Sequence, residues 1–244
     1  MLENKIAFIT GGSGALGQAI IKVLVREGCR TAYSYKSEAK RAERLEKELA
    51  TAGADVKSYF LDVTDSGAST KLAEQIEDDF GPVDILINNA GVAQVMPFAM
   101  IEEQDWDMLM DVNVKGMFLV TKAFVRSMIR RKRGSIVNVG SLAGMRMLEV
   151  PVHYATAKSA VVGFTMALAR ELGRYNIRVN AAVPGMLEAG VSDNIPAKQR
   201  EQYMSYCALT RAGRCEEVAE LVAFLASDRS SYINAQSILI DGGI

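Results

Sequence analysis

The chain has 244 residues, of which 49% are hydrophobic and 23% charged, with a formal net charge of −1. This composition is typical of a globular chain with enough apolar residues for a core, and it excludes disordered and fibrous proteins. Because charges of both signs are interspersed, no basic surface for a polyanion is expected, and we predict no nucleic-acid partner. Three cysteines and a single histidine predict neither a disulfide framework nor a metal site.

The first residues lead directly into an apolar strand and lack the charged region, long apolar region and cleavage site of a secretory signal. The longest nearly apolar stretch, Ser159–Ala169, is shorter than the roughly 20 residues that cross a bilayer. We therefore expect a cytoplasmic protein without a membrane span.

Short β-branched runs alternate with stretches of helical periodicity along the chain. Strands are predicted at Ile6–Thr10, Thr31–Tyr35, Val56–Leu61, Ile85–Ile87, Ser135–Val139, Arg178–Val183 and Ile238–Ile240. Helices are predicted at Leu16–Glu27, Lys40–Ala50, Leu72–Phe80, Asp105–Arg131, Ala155–Arg174 and Glu216–Leu225. Strands joined by helix-length crossovers run parallel and are buried on both faces. This order predicts an α/β fold with a doubly wound parallel sheet of Rossmann type, helices on both faces, and one domain over residues 1–244.

The least regular segment, Met186–Lys198, follows the carboxyl end of a strand, where such sheets bind ligands. We interpret residues 186–207, which include it, as a substrate lid.

A glycine-rich turn joins the first predicted strand to the first helix, where backbone N–H groups and the helix dipole favour a pyrophosphate. The string Thr10–Gly17 can be read as G-x-G-x-x-G from Gly12, or as T-G-x-x-x-G-x-G with Ala15 in place of a glycine. Either pattern predicts a dinucleotide site. Its candidate ligands are Gly11, Gly12, Ser13, Gly14, Leu16 and Gly17.

The cofactor preference depends on the end of the second strand. An acidic residue that would bind the ribose diol of NAD is absent there, and Lys36 with its neighbouring hydroxyls suits a 2′-phosphate instead. We therefore predict NADP(H) rather than NAD. The alternative is that Lys36 is an ordinary solvated loop lysine.

Polar residues follow the third and fourth strands on the same edge of the sheet. Asp62, followed by Val63, can hold an adenine amino group or can simply cap a turn. The segment Asn88–Gly91 offers Asn89 with the small residues Ala90 and Gly91, which let a nicotinamide ribose approach.

Tyr154 and Lys158 are four residues apart on one predicted helix, so their side chains share a face. A neighbouring cation stabilises a phenolate and lowers the pKa of the tyrosine toward neutral. Ser141, at the end of the preceding strand, can contact the same carbonyl oxygen, and Asn113 is the odd polar residue in an apolar helical run. His153, one residue before the tyrosine, points about 100° away and is interpreted as a wall or interface residue.

These motifs together resemble the short-chain dehydrogenase/reductase family in its single-domain form. The resemblance rests on the glycine turn, Asn88–Gly91, Asn113, Ser141, Tyr154–Lys158, Arg178–Gly185 and Asp241–Gly243. It implies that Tyr154 is the general acid/base, that Lys158 binds the nicotinamide ribose, that Ser141 holds the substrate oxygen and that Asn113 positions a water. It also implies that Pro184, Gly185 and Leu187 pass along the nicotinamide.

Within the family the chain is most similar to the β-ketoacyl carrier-protein reductases, on stretches such as Arg131–Val137 and Phe224–Asp228. This resemblance implies an acyl thioester substrate on a carrier protein or coenzyme A, in fatty-acid, polyketide or polyene biosynthesis. The methionine-rich stretch Gly144–His153 suits an aliphatic chain or is simply packing. Alternatives are an alcohol, sugar or hydroxysteroid dehydrogenase, or a non-catalytic dinucleotide-binding protein.

Two surfaces are candidate interfaces. A basic cluster formed by Arg131, Lys132, Arg133 and Arg174 could dock an acidic carrier protein, or could be a solvated helix end that interacts with the dipole. The helix after Tyr154 is apolar around most of its circumference, which predicts cover from another subunit. The resemblance implies a homotetramer, with a dimer as the alternative.

Overall fold

The computed structural model describes residues 2–244, apart from the side chain at position 194. The described residues form one sheet of seven parallel strands in the order β3-β2-β1-β4-β5-β6-β7. The strands are β1 (Ile6–Ile9), β2 (Arg30–Tyr35), β3 (Val56–Phe60), β4 (Ile85–Asn88), β5 (Gly134–Val139), β6 (Ile177–Pro184) and β7 (Ser237–Ile240).

Helices connect these strands and cover both faces of the sheet. They are α1 (Ala15–Arg26), α2 (Ala39–Thr51), α3 (Ser66–Phe80), α4 (Glu103–Met110), α5 (Met117–Arg131), α6 (Val152–Leu172), α7 (Ala197–Tyr206) and α8 (Cys215–Ala226). A π turn, Asp111–Gly116, joins α4 to α5. The predicted fold class is confirmed.

Each face of the sheet has its own apolar core. One core joins α1, α2 and α8 to strand residues such as Ile9 and Ile87, and the other joins α3, α5 and α6 to Phe8 and Leu86. Phe8 stacks on Phe124 of α5 with ring centroids 4.7 Å apart. Because alternate strand residues enter opposite cores, the central strands are continuous apolar runs.

The strand order reverses at β1, which pairs with β2 on one side and with β4 on the other. The connections after β1 and β4 therefore diverge to opposite faces and leave a crevice at the carboxyl edge of the sheet. This crevice brings together the segments that the sequence singles out after β1, β4, β5 and β6.

Three features differ from the predicted elements. The helix predicted at Asp105–Arg131 is two α-helices separated by the π turn, and α3 begins earlier than predicted because Asp65 caps it by accepting from the Ala68 N–H at 2.9 Å. The segment predicted to be irregular contains part of α7. No helix of the described residues has the length and apolar character needed to span a membrane.

Candidate active site

The glycine turn after β1 packs tightly against the segment after β4. A Cβ on Gly17 would lie 2.3 Å from the Gly11 carbonyl oxygen, and one on Gly11 would lie 2.9 Å from Cα of Ala90. A Cβ on Gly14 would meet only the Gly11 oxygen, at 3.5 Å. A Cβ on Gly12 would lie 2.4 Å from Cδ2 of Tyr33, so close approaches require glycine at Gly11, Gly12 and Gly17 but not at Gly14, and the two readings of the turn share this geometry.

Thr10 and Asn89 fasten these two segments together. The Thr10 hydroxyl accepts the backbone N–H groups of Asn89 and Ala90 at 3.1 and 3.0 Å. In return, the Asn89 amide donates to the carbonyl oxygens of Thr10 and Gly11 at 3.0 and 3.1 Å. The Asn89 side chain is therefore committed to shaping the turn.

The N-terminus of α1 is open toward the crevice. Its N-cap is Gly14, which has no side chain to cap the helix, and its first turn contains no acidic residue. The first N–H groups of a helix lack intrahelical partners and favour an anion. With the glycine cradle, this end of the crevice fits the pyrophosphate of a dinucleotide.

Lys36 and Asp62 lie together at the ends of β2 and β3. The Lys36 ammonium is 2.6 Å from Oδ2 of Asp62, while Oδ1 accepts the Thr64 N–H and hydroxyl at 3.1 and 2.8 Å. Lys36 lowers the pKa of the Asp62 carboxyl below its usual value, and partial burial opposes this shift less strongly. Lys36 thus forms an ion pair with Asp62 while its side chain stays 60% exposed, and Asp62 forms the turn contacts of the alternative reading.

Val63, next to this pair, has a packing contact. Its side chain fills the space at Gly116 of the π turn, where a Cβ would lie 2.6 Å from Cγ2 of Val63.

The side chains of Ser141, Tyr154 and Lys158 meet at the carboxyl ends of β5 and β6. The Ser141 hydroxyl lies close enough to the Tyr154 hydroxyl to influence the pKa of the phenol. The Lys158 ammonium is 5.9 Å from the centroid of the Tyr154 ring and donates to the Val139 carbonyl oxygen at 3.0 Å. One residue separates Val139 from Ser141, so the end of β5 positions both the hydroxyl and the ammonium.

Burial has the largest effect on the pKa values of Tyr154 and Lys158. Burial raises the pKa of Tyr154, and the neighbouring Ser141 hydroxyl opposes the rise. Burial also lowers the pKa of Lys158 to about 8, so the lysine is still mainly a cation at pH 7. The site therefore holds a buried positive charge beside a phenol.

Asn113 lies in the π turn and is buried. Its amide donates to the carbonyl oxygens of Val92 and Leu109, each at 3.0 Å, and its oxygen accepts the Val92 N–H at 3.2 Å. Gly91 lies directly against it, because a Cβ there would be 2.7 Å from the Asn113 oxygen. The side chain is thus committed to the loop after β4, and π turns of this kind are frequent at functional sites.

The segment after β6 forms the remaining wall. Pro184 ends β6, and the Gly185 N–H donates to Ile240 of β7 at 3.0 Å. Leu187 is buried and forms a bridge with Gly213.

Sequence reasoning missed Tyr203 of α7, which holds this wall. Its hydroxyl accepts the Met186 N–H at 3.0 Å, and a Cβ on Gly185 would lie 2.5 Å from the same hydroxyl. No motif marks Tyr203, since its role depends on how α7 folds back.

The basic cluster lies at the opposite edge of the sheet, at the amino ends of the strands. Arg131 and Arg133 bind the buried carboxylate of Asp84 at 2.8 and 2.6 Å, and Arg174 stacks on Tyr175 with its guanidinium 4.9 Å from the ring centroid. Two of the four predicted docking residues are therefore held by an internal ion pair. Within one chain, the cluster and Tyr154 lie at opposite ends of the sheet.

Comparison with known proteins identifies the family. A sequence model of the short chain dehydrogenases matches residues 5–200. The chain is 39% identical over 243 residues to the 3-oxoacyl-[acyl-carrier-protein] reductase FabG of Thermotoga maritima, covering 100% of this chain and 98% of that protein. It is 35% identical to nodulation protein G of Rhizobium meliloti, with the same coverage.

Among solved structures, a short-chain dehydrogenase/reductase from Serratia marcescens superposes with a TM-score of 0.92 at 35% identity, covering 99% of this chain and 98% of that one. The chain belongs to the short-chain dehydrogenase/reductase family, whose members are oxidoreductases. The family and enzyme class predicted from the sequence are confirmed. Within residues 2–244, no cluster of histidine, cysteine or acidic side chains could hold a metal ion.

Proposed function

We propose that the protein is an NADPH-dependent reductase that converts the β-keto group of an acyl thioester into the 3-hydroxyacyl product. The observation that carries the proposal is the buried Lys158 cation beside the hydroxyls of Ser141 and Tyr154, in a chain similar over its full length to 3-oxoacyl-[acyl-carrier-protein] reductases. We further propose a biosynthetic setting, either the fatty-acid cycle or a polyketide or polyene pathway.

The residues of the crevice fit a dinucleotide, because glycines let the turn after β1 pack closely at the start of α1 and the N-terminus of α1 has no side-chain cap. When bound, the nicotinamide supplies the hydride. We propose that the dinucleotide is held by Gly11, Gly12, Ser13, Gly14, Leu16, Gly17, Lys36, Asp62, Val63, Asn89, Ala90, Gly91, Tyr154, Lys158, Pro184, Gly185 and Leu187.

The side chains of Ser141, Tyr154 and Lys158 carry out the proton transfer. Ser141 and Tyr154 both present hydroxyls that can bond one carbonyl oxygen, and Tyr154 donates its proton to that oxygen as the alcohol forms. The charge on Lys158 stabilises the phenolate that remains. Because the Asn113 amide is already bonded to Val92 and Leu109, a relay water would bind the backbone of the π turn that Asn113 fixes, rather than the amide itself.

Replacing Lys36 by alanine tests the NADP(H) preference. A charge-assisted hydrogen bond contributes about 1.5–3 kcal/mol, so the variant should bind NADPH about 10- to 100-fold more weakly while its affinity for NADH is unchanged. Titration calorimetry with both cofactors measures this. The matched control is Lys57→Ala, which removes the ion pair with Asp79 elsewhere on the same side of the sheet. Equal losses for NADPH and NADH would contradict the assignment.

The lid and the neighbouring loop would set the substrate. We propose that residues 186–207 close over the crevice, where the Arg200 guanidinium already bonds the Ser192 carbonyl and lies 3.6 Å from the Asp193 carboxylate. Val95, Met145 and Met147 are exposed on segments that follow β4 and β5. Exposed apolar side chains near the crevice favour an aliphatic acyl chain.

A substrate panel distinguishes this proposal from the same-family alternatives. Purified protein is assayed with NADPH and a short β-ketoacyl thioester, and with simple ketones, keto-sugars and ketosteroids at equal concentration. We expect kcat/KM to be highest for the thioester. Faster turnover of a ketone, sugar or steroid would favour an alcohol, sugar or hydroxysteroid dehydrogenase, and binding of NADPH without any turnover would favour a non-catalytic dinucleotide-binding protein.

We propose a homotetramer assembled in part through α5 and α6. Phe118 and Met166 on these helices are 45% and 50% exposed, although large apolar side chains are usually covered. With the two-fold axis perpendicular to α5 and α6, an isologous interface would place these helices of the two subunits antiparallel. Sedimentation equilibrium should give about four times the chain mass of 26.5 kDa. A dimer would restrict the proposal to one interface, and a monomer would contradict it.

In the same homotetramer, the basic cluster would have a role in binding the carrier protein. Antiparallel pairing brings the end of α5 and Arg174 of one subunit toward the carboxyl edge of the partner's sheet, where the acidic carrier would deliver its thioester. We therefore propose that Arg131, Lys132, Arg133 and Arg174 dock the carrier protein across the interface.

We also propose a cytoplasmic location, which the three buried free thiols at Cys29, Cys207 and Cys215 support because reducing compartments keep thiols unpaired.

A further inference from the structure

A string of three side chains, half-buried at Asp105 and Gln94 and fully buried at His153, links helix α4 to helix α6 next to the catalytic group. The Gln94 amide nitrogen donates to Oδ1 of Asp105 at 2.7 Å, and the Gln94 oxygen lies 3.3 Å from Nε2 of His153. His153 is completely buried and directly precedes Tyr154. Its burial within the chain excludes the interpretation of His153 as a subunit-interface residue.

The order of hydrogen-bond donors and acceptors along the string determines which ring nitrogen of His153 carries the proton. Asp105 also accepts the Glu102 N–H at 3.1 Å, and the Gln94 hydrogen bond lowers the pKa of its carboxyl, so this end is an ionised acceptor. Gln94 must therefore turn its nitrogen toward Asp105 and its oxygen toward His153. For the contact to be a hydrogen bond, Nε2 of His153 must carry the proton.

The other ring nitrogen supports the same assignment. Nδ1 of His153 is buried and has no hydrogen-bond partner among the described residues. If Nδ1 carried the proton, its N–H group would be a buried donor without an acceptor. Nε2 would then be unprotonated, and it would face the Gln94 oxygen as one acceptor against another. Burial lowers the pKa of His153, with Asp105 opposing, which favours the neutral ring.

The loop after β4 is held at two neighbouring residues, and the string holds one of them. Asn113 binds both the N–H and the carbonyl of Val92, and two residues further on the His153–Gln94–Asp105 string holds the side chain of Gln94. The next residue, Val95, is 48% exposed. His153 thus connects the placement of this loop to the first turn of the helix that carries Tyr154.

We propose that His153, as its neutral Nε2–H form, is a positioning residue that holds Gln94 and thereby keeps Val95 in place as a wall for the acyl chain beside Tyr154. This inference rests on the proposed function for the nature of the substrate, but the contact itself does not. His153 touches neither the substrate carbonyl nor the cofactor, so its effect should appear in KM rather than in kcat.

The test compares two replacements at position 153. In His153→Gln, an amide nitrogen replaces Nε2–H and can still donate to Gln94, whereas His153→Leu keeps an apolar volume and loses the donor. We expect His153→Leu to raise KM for a β-ketoacyl thioester about fivefold, because about fivefold is the usual effect of losing one hydrogen bond. The variant should keep the kcat and the NADPH affinity of wild type. His153→Gln should restore a KM within about twofold of wild type.

A double-mutant cycle with Gln94→Ala supplies the second readout. If the two side chains act through one contact, Gln94→Ala with His153→Leu should raise KM no more than either replacement alone. Additive increases, equal KM values for the Leu and Gln variants, or an unchanged KM in His153→Leu would each overturn the proposal.

Hydrogen–deuterium exchange separates this inference from the proposed function, because it needs no turnover. In the cofactor-free protein, peptides that cover residues 91–97 should exchange faster in His153→Leu than in wild type, and at the wild-type rate in His153→Gln. If wild type fails to reduce the thioester but this exchange pattern holds, the acyl substrate is wrong and the positioning contact stands. If all three proteins exchange alike, the contact does not hold the loop and the inference fails.

Discussion

Replacing Tyr154 by phenylalanine is expected to lower kcat by about 10²- to 10⁴-fold, the usual contribution of a positioned general acid. Phenylalanine keeps the ring that packs near Lys158 and removes only the hydroxyl that lies near Ser141. The fold and the glycine cradle do not involve this hydroxyl. NADPH affinity should therefore stay within about threefold of wild type, a change of less than 1 kcal/mol.

Steady-state rates and titration calorimetry on the same preparation separate these two effects. Tyr232→Phe is the matched control, because Tyr232 is fully exposed and lies far along the chain from the catalytic helix. If Tyr154→Phe turned over at the wild-type rate, Tyr154 would not be the acid. If the variant lost both rate and cofactor binding, the hydroxyl would be needed to shape the cofactor site as well as to donate a proton.

Replacing Lys158 by methionine is expected to abolish most activity and yet stabilise the fold at neutral pH. Burial lowers the pKa of Lys158 from 10.5 to about 8, and a pKa lowered by one corresponds to about 1.4 kcal/mol, so the buried charge costs about 3 kcal/mol. Methionine removes this cost but also leaves the Val139 carbonyl without its donor, a loss of about 1 kcal/mol. The expected net gain is about 2 kcal/mol in the free energy of unfolding at pH 7.

The pH dependence of this gain checks its cause. Between pH 8 and 10.5 the unfolded chain holds the lysine proton and the folded chain does not, so wild-type stability rises with pH over this range. The advantage of the variant should therefore be largest below pH 8 and disappear as the pH approaches 10.5. Urea unfolding at several pH values measures it, with the exposed Lys71→Met as control. A variant less stable than wild type at pH 7 would refute the explanation.

The fold was predictable from the sequence because its local signals agree with one another. Apolar runs such as Ile85–Ile87 and helix-length crossovers leave few topologies other than a parallel sheet. The glycine turn lies between β1 and α1 as predicted, and the structure contains close approaches at glycines of both readings, Gly11, Gly12 and Gly17. The spacing of Tyr154 and Lys158 likewise predicted a shared helix face, which the structure contains.

What could not be predicted depends on contacts between segments distant in the chain. The π turn at Asp111–Gly116 has an ordinary helical pattern in the sequence, and its Asn113 bonds to Val92, which lies on a distant segment. The ion pairs of Arg131 and Arg133 with Asp84 join residues 47 and 49 positions apart. Gln94, the partner of His153, and Asp105, which accepts from Gln94, lie on two other segments, so the sequence neighbours of His153 gave no sign of this contact.

The most direct test of the central claim is the initial rate of NADPH oxidation by the wild-type protein with a short β-ketoacyl thioester, measured beside NADH at the same concentration. We expect rapid oxidation of NADPH, little oxidation of NADH, and formation of the 3-hydroxyacyl thioester in equal amount. If the protein binds NADPH but neither cofactor is oxidised in the presence of the thioester, it is not a β-ketoacyl reductase.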